Sequence, residues 1–169
     1  MHQLKVLQDG EEVEVSDNSQ RWLSSWHRAE EILEGRPHGA VGICITSLNE
    51  VVLVSRDGLV WSFPAGRPEG AESWEDTLRR EIMEEACAVV SHSRLLGFSR
   101  GRCIEGKEKG LVLVRSIWLA QVTLLAWKPE FEILHRKVVP ADQAISEVAP
   151  PDDQLPFWRR VFAEAELTA

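Results

Sequence analysis

The sequence predicts an α/β fold, because β-rich segments lie on both sides of a strongly amphipathic helical segment. Segments 40–46 and 51–55 are rich in β-branched residues and are joined by a short polar turn, which predicts a β-hairpin. Segment 74–86 instead carries apolar residues at steps of four, which is the spacing of one helix face: Trp74, Leu78, Ile82 and Ala86. We therefore expect an α/β sandwich, with helices packed against a sheet.

The N-terminal part carries different signals and predicts an extension over residues 1–38. Residues 4–15 alternate weakly around Asp9-Gly10, a two-residue hairpin signal. Residues 20–34 are expected to form a helix ended by Gly35 and Pro37, because four apolar residues recur at helical spacing: Trp22, Trp26, Ala29 and Leu33. The extension is thus a hairpin plus a helix, whose apolar face covers the main domain or contributes to a homodimer.

The remaining elements follow from local patterns. Ser73 and Asp76 form an approximate capping box at the start of the central helix. Strands are expected at 94–100, 111–126 and 133–139, with a mobile loop at 101–110. Pro140 opens a short helix through Ser146. A final amphipathic helix covers 152–167, with these residues inward: Phe157, Trp158, Val161 and Phe162.

Composition and charge restrict the class of protein. A chain of 169 residues is long enough for one domain with a substantial core. A net charge of −8 argues against a large surface for polyanions, so nucleic acid is not an expected partner. Three cysteines without metal-like spacing indicate a reducing compartment. With neither a signal peptide nor a membrane-length apolar run in the sequence, we expect a soluble cytoplasmic protein.

The stretch from 66 to 88 carries the chemistry. If it is helical, Glu81, Glu84 and Glu85 lie at i, i+3 and i+4 and share one face. Like charges at this spacing cost a helix roughly 0.2–0.5 kcal/mol per pair. A divalent cation such as Mg²⁺ offsets that cost, because it binds carboxylate and phosphate oxygens. The spacing therefore predicts a metal site.

The same stretch resembles the signature of the Nudix hydrolases, G-x5-E-x7-R-E-U-x-E-E-x-G-U, where U is aliphatic. The matching residues are Gly66, Glu72, Arg80, Glu81, Ile82, Glu84 and Glu85. Cys87 replaces the final glycine, and Ala88 is a small version of the last aliphatic residue. The resemblance implies a Nudix-type α/β/α sandwich with a mixed β-sheet, formed by a Nudix hydrolase domain over residues 39–169.

The resemblance also implies roles for individual residues around Mg²⁺ or Mn²⁺. Glu84 and Glu85 are expected ligands, Glu81 is a ligand or an orienting base, and Arg80 organises the carboxylates by ion pairs. The backbone carbonyl of Ala65 is a further expected ligand. Three residues in or before the signature are expected to contact the substrate: Arg56, Gly66 and Glu72. For Arg56, a simple turn charge beside Asp57-Gly58 is an equal alternative.

The general base is expected among the glutamates that precede the last strand. We choose Glu132 over Glu130, because it lies closer to Val138-Val139-Pro140 and matches the family's acidic position better. A charged strand edge remains the alternative for both. Glu105 and Glu108 in the 101–110 segment are weaker candidates.

The function implied is metal-dependent hydrolysis of a pyrophosphate bond in a nucleoside diphosphate linked to another moiety. The partner would be a small-molecule nucleotide or nucleotide-sugar. The alternative is a Nudix-fold sensor that binds a nucleotide without hydrolysing it. Action on the 5′ end of RNA is a third possibility, which the acidic balance disfavours.

Overall fold

A mixed eight-stranded β-sheet organises the chain. The structure, a computed structural model, describes residues 4–167. The strands are β1 Val13–Asp17, β2 Gln20–Arg28, β3 Arg36–Ile45, β4 Glu50–Ser55, β5 Ala65–Gly66, β6 Ala88–Glu105, β7 Val112–Leu124 and β8 His135–Pro140. Their order in the sheet is β1-β2-β6-β7-β3-β4-β8, with the short β5 paired to β3. β3 and β7 run parallel, whereas the other pairs are antiparallel.

Helices cover both faces of this sheet. They are α1 Trp74–Ala86, α2 Ala144–Val148 and α3 Leu155–Glu164, with 3-10 turns at Ala141–Gln143 and Asp152–Gln154. Because side chains alternate along a strand, Cys44 and its neighbour Ile43 enter different cores. Cys44 packs with Leu78 and Ile82 of α1, whereas Ile43 packs with Phe162 of α3. The predicted α/β/α sandwich with a mixed sheet is confirmed.

The N-terminal extension is a β-hairpin, so the helix predicted over 20–34 is wrong. β1 and β2 are joined at Asn18 and Ser19, which have φ of 48° and 61° as a tight hairpin turn requires. Asp9-Gly10, the predicted turn, lies before β1 instead. β2 then pairs with β6 and so adds two strands to the sheet.

Trp26 shows why a strand replaces the expected helix. Its side chain is fully buried in the core on the α3 side, at 5.8 Å from the Phe157 ring. A Cβ at Gly97 on β6 would stand 2.4 Å from the Trp26 ring, so the close pairing of β2 and β6 requires glycine there. The extension covers its own domain, which is one of the two expectations, and its part in a homodimer stays a prediction.

Two further assignments near the site change. Half of the expected 101–110 loop is strand, because β6 continues to Glu105 and only a short turn separates it from β7. Glu130 and Glu132 lie in the irregular segment before β8, not along a strand, so they do not share a strand face. Among residues 4–167, the helices are all too short or too polar to cross a membrane.

Candidate active site

The central helix α1 positions the acidic residues because both of its ends are defined locally. Ser73 accepts a hydrogen bond from the Asp76 N–H at 3.1 Å, and Asp76 accepts one from the Ser73 N–H, which completes the predicted capping box. Leu78 and Ile82 are buried against the sheet, while Trp74 is partly buried beside them. The face next to this apolar stripe therefore stays polar and carries the glutamates.

Cys87 ends α1 in the left-handed conformation, with φ of 49° and ψ of 52°. Its N–H donates to the Met83 carbonyl at 3.1 Å, and its own carbonyl accepts from the Leu125 N–H at 2.8 Å. The replacement of glycine by cysteine thus leaves the end of the helix in the conformation that glycine favours. The glutamates upstream keep their helical spacing.

Arg80 joins the carboxylates of the box. Its guanidinium donates to both oxygens of Glu72 at 2.8 and 2.9 Å, to Glu81 Oε1 at 2.7 Å and to Glu84 Oε2 at 3.3 Å. It also donates to the Arg67 carbonyl at 2.9 Å. The hydrogen bond from Arg80 lowers the pKa of Glu72 to about 2, with a further contribution from the Glu69 N–H. Glu72 is thus held ionised and serves to fix Arg80.

Glu81 and Glu85 are in a drier environment. Burial raises the pKa of Glu81, against the opposing hydrogen bond from Arg80. Burial also raises the pKa of Glu85 to about 7, and the nearby charges of Glu81 and Glu132 add to that rise. The Ala65 N–H opposes it by donating to Glu85 Oε1 at 2.7 Å. These two carboxylates repel each other and lack the water that would stabilise their charge.

Gly66 is required by the close approach of Glu81. A Cβ at Gly66 would lie 2.0 Å from the Glu81 carboxyl carbon, a distance that no side chain allows. β5 pairs with β3 through Ala65 and Gly66, which fixes the backbone of this approach. Because N–H and C=O of one strand residue point to the same edge, the Ala65 carbonyl shares the side on which its N–H meets Glu85.

The donor set suits a hard divalent cation, since it consists of carboxylate and carbonyl oxygens. The raised pKa values of Glu81 and Glu85 fit such an ion as well, because a cation would stabilise their ionised forms. Within residues 4–167, however, no three His, Cys, Asp or Glu side chains converge on one point that could hold an ion. Glu81 and Glu84 are turned to Arg80, and Glu85 is turned to Ala65.

Arg56 and Glu132 form an ion pair beside this cluster. The Arg56 Nη2 lies 2.5 Å from Glu132 Oε2, and both side chains are exposed. Arg56 follows the end of β4, and Glu132 precedes β8, which pairs with β4. The charges of Arg56 and Glu132 both act on the pKa of Glu85. The pairing of β4 with β8 therefore brings these sequence-distant residues near Glu85.

The other candidate bases lie in different surroundings. Glu130 makes a looser contact, 3.5 Å from Lys128. Glu105 pairs with Arg21, and Glu108 accepts from Gln20, so both lie beside the N-terminal hairpin. Sequence reasoning missed Thr77, which donates to Glu72 at 3.2 Å and is fully buried on α1. Its position inside the box is the only signal that pointed to it.

Comparison with known proteins agrees with this fold. The family model described as NUDIX domain matches residues 36–161. The crystal structure of the Bacillus subtilis pyrophosphohydrolase BsRppH is similar, with a TM-score of 0.67 and 23% identity over 90% of this chain and 96% of that one. A NUDIX hydrolase from Nitrosomonas europaea has a TM-score of 0.59 and 17% identity, over 79% and 89% of the two chains. The MutT protein of Methanosarcina mazei Go1 has a TM-score of 0.58 and 17% identity, over 80% and 99%.

Identities this low show the fold alone, and comparison with curated proteins finds no match. The family model covers most of the chain, and the chain therefore belongs to the Nudix family. It is a Nudix-type hydrolase, an enzyme of the class that acts on pyrophosphate bonds and generally needs a divalent metal ion.

Proposed function

We propose that this protein hydrolyses the pyrophosphate bond of a nucleoside diphosphate linked to another moiety, with Mg²⁺ or Mn²⁺ as cofactor. The observation that carries the proposal is the set of Glu81, Glu84 and Glu85 on one face of α1. Arg80 pairs with Glu81 and Glu84, and burial withdraws Glu81 and Glu85 partly from water. The similarity to BsRppH, a pyrophosphohydrolase, supports the same reaction. The substrate would be a small nucleotide or nucleotide-sugar.

Each residue would have a distinct task. Glu84, Glu85 and the Ala65 carbonyl would hold the ion, with Glu81 as a further ligand or an orienting base. A bound divalent ion neutralises pyrophosphate oxygens and lowers the pKa of the attacking water. Arg80 would keep the carboxylates in place through Glu72. Gly66 would let the substrate approach the Glu81 carboxylate closely, because it has no side chain.

Glu132 would accept the proton of the attacking water. Its ion pair with Arg56 holds it near Glu85, an expected ligand. Arg56 is exposed and would also reach the phosphates of a bound substrate. General-base catalysis of this kind contributes about 10²–10⁴-fold to turnover.

The test is turnover of Glu85→Gln on a panel of nucleoside diphosphate derivatives, nucleotide-sugars and nucleoside triphosphates, with Mg²⁺ or Mn²⁺ present. We expect a loss of at least about 100-fold, because the amide cannot replace a ligand carboxylate. Glu75→Gln is the matched control, since Glu75 lies on α1 but pairs with Arg79 away from the cluster. EDTA should abolish activity, and added metal should restore it. Normal turnover by Glu85→Gln would overturn the assignment.

The alternative is a sensor that binds nucleotides without hydrolysing them. Arg80 supports it, because its guanidinium is bonded to one oxygen of Glu81 and one of Glu84, two expected ligands. A panel that yields tight binding but no turnover with any substrate or metal would favour this alternative. A homodimer would be a further property of either function, tested by the mass of the protein in solution.

A further inference from the structure

A cavity of about 1160 Å³ opens between the N-terminal hairpin and the loop that leads into α1. Trp22 of β2 lines one side, and Phe157 and Trp158 of α3 line another. Residues of the loop between Arg67 and Ser73 line a further side. The wall formed by β1 and β2 lies outside residues 36–161, the part that matches the family model. This cavity is therefore shaped in part by a segment outside the match to the family model.

Unpaired arginines are concentrated in this cavity. Across residues 4–167, the arginine side chains with neither an ion pair nor a hydrogen bond are Arg36, Arg67, Arg100 and Arg115. All but Arg100 line the cavity, together with His38. The protein leaves these guanidinium groups free although acidic residues outnumber basic ones by 27 to 19.

The electrostatic effect of the cluster is visible in its members. Burial lowers the pKa of His38, and the positive charges of Arg115 and Arg67 lower it further. Desolvation in the cavity lowers the pKa of Arg115, and Arg67 adds to this against the opposing charge of Asp17. Such mutual repulsion is relieved when an anion binds among the cations.

Carboxylates also line the cavity, and one of them is ion-paired outside it. Glu72 forms an ion pair with Arg80 and accepts hydrogen bonds from two of its guanidinium nitrogens. Asp153 accepts from the Ser16 N–H at 3.3 Å, and Glu108 accepts from Gln20 at 3.2 Å. These neutral donors leave Asp153 and Glu108 charged, so with Asp17 they balance the three arginines in number. Within residues 4–167, however, none of these carboxylates forms an ion pair with a cavity arginine, so the guanidinium groups keep their hydrogen-bond donors for a ligand.

The cavity and the carboxylate cluster adjoin the same strip of backbone. A Cβ at Gly39 would lie 3.1 Å from the Gly66 carbonyl oxygen and 3.8 Å from Arg115 Cγ. Gly66 in turn touches Glu81 on its other side. Arg115 and Glu81 therefore both adjoin the paired backbone of Gly39 and Gly66. One substrate molecule can extend from the carboxylates into the cavity.

We propose that Arg36, Arg67 and Arg115 bind a phosphate of a nucleoside 5′-phosphate group whose base lies against Trp22. The proposal rests on the proposed function, since it assigns the nucleotide half of the same substrate. Guanidinium groups match phosphate oxygens in geometry and charge, and an aromatic face stacks on a base. The volume is ample for such a group. The N-terminal hairpin is then a substrate-recognition element, because it supplies Trp22.

The first test measures binding without catalysis. The full chain is titrated in EDTA with AMP, GMP, CMP and UMP, and with the four matching nucleosides. The variants are Arg67→Gln with Arg115→Gln, and Trp22→Leu; Arg94→Gln is the control, since Arg94 lies on β6 outside the cavity and contacts α3. We expect the arginine double variant to lose at least about tenfold in affinity for a monophosphate and none for a nucleoside. Trp22→Leu should weaken both ligands.

The proposal would be overturned by unchanged monophosphate affinity in the double variant, or by equal affinity of the wild-type protein for nucleoside and monophosphate. A loss of similar size in Arg94→Gln would do the same. Folding of each variant is checked by circular dichroism, and Arg36→Gln provides an independent substitution at the same site.

Failure of the proposed function gives a different pattern. If wild-type protein turns over no substrate but binds monophosphates in an arginine-dependent way, the cavity assignment stands and hydrolysis fails. If turnover is normal and the arginine double variant leaves both KM and binding unchanged, hydrolysis stands and the cavity assignment fails. With both correct, the double variant raises KM at least about tenfold while kcat stays within about twofold.

Discussion

Arg80 is the residue on which the geometry of the acidic cluster depends. Its flat guanidinium reaches Glu72 with two nitrogens and still contacts Glu81 and Glu84, which a lysine could not do from one position. The hydrogen bonds to Glu72 raise the pKa of Arg80 further above its ordinary value. Glu72 and Arg80 thus act as one ionised unit that holds the neighbouring carboxylates in fixed rotamers.

Glu132 can be tested as the general base by a single substitution. Glu132→Gln should lower turnover by about 10²–10⁴-fold with little change in metal affinity, because it removes a proton acceptor and not a ligand. Glu130→Gln is the matched control, since it lies two residues away and pairs with Lys128 instead. Rates and metal titrations of both variants decide the matter. Full activity in both would move the role to Glu81 or to a carboxylate near 105–108.

Glu85 should make the metal-free protein less stable as the pH rises. Its folded pKa of about 7 lies above the ordinary value of 4.5, so the folded state holds a proton that the unfolded state has released between these values. The free energy of unfolding should therefore fall from about pH 4.5 to pH 7, by about 2–3 kcal/mol from this group.

Urea denaturation in EDTA at pH 5 and pH 8 measures this effect. Glu85→Gln should lack most of the fall in the free energy of unfolding that Glu85 causes. It should also be more stable than the wild type at pH 8. Glu75→Gln should leave the decline unchanged, because Glu75 is exposed and paired with Arg79. If the stability of the wild type rose relative to that of Glu85→Gln as the pH increased, burial of the Glu85 carboxyl would not explain the pH dependence.

At the scale of elements, α1 was predictable and β2 was not. The start, apolar stripe and end of α1 depend on contacts within a few residues, which the sequence displays directly. Trp22 and Trp26 are four residues apart, a spacing that places them on one face of a helix but equally on one face of a strand. Pairing with β6, far along the chain, decides between the two. No local signal carries that information.

Cys87 places backbone strain at the end of α1. A residue other than glycine at φ of 49° costs about 1 kcal/mol, so Cys87→Gly should raise the free energy of unfolding by up to that amount. Ala149 ends α2 with φ of 50°, and Ala149→Gly should act in the same direction. Urea denaturation measures both. A destabilised Cys87→Gly would mean that the thiol contact with the Lys128 carbonyl, at 3.5 Å, outweighs backbone strain.

At the scale of the whole molecule, the sandwich followed from the sequence, but the strand order did not. Alternating and helical patterns identify elements and their buried faces, whereas neighbours in the sheet are set by contacts between distant segments. The site shows the same division. The glutamates of one helix were identified together, but the cavity arginines lie on β3, on β7 and in the loop before α1. Only the folded sheet brings them together.

Removal of residues 1–34 should destabilise the protein strongly. The truncated chain loses Trp26 from the core and leaves the long edge of β6 without a partner. Loss of a buried tryptophan alone costs about 3–5 kcal/mol. Thermal unfolding and light scattering measure the outcome, with removal of residues 1–5 as the control. A truncated chain of equal stability that stays monodisperse would show that the hairpin contributes little to the core.

The contacts between the two ends of the chain have a consequence for how the protein folds. Arg160 of α3 donates to the Leu7 carbonyl at 2.8 Å and to Asp9, while the Leu7 N–H donates to the Pro156 carbonyl at 3.3 Å. During synthesis the N-terminal hairpin is made before β6 and α3, the elements it packs against. Contacts of such long sequence separation form slowly, because the entropy of closing the loop is lost before they stabilise the chain. Trp26 therefore remains uncovered until β6 and α3 have been synthesised, and the nascent chain exposes this aromatic surface to aggregation during that time.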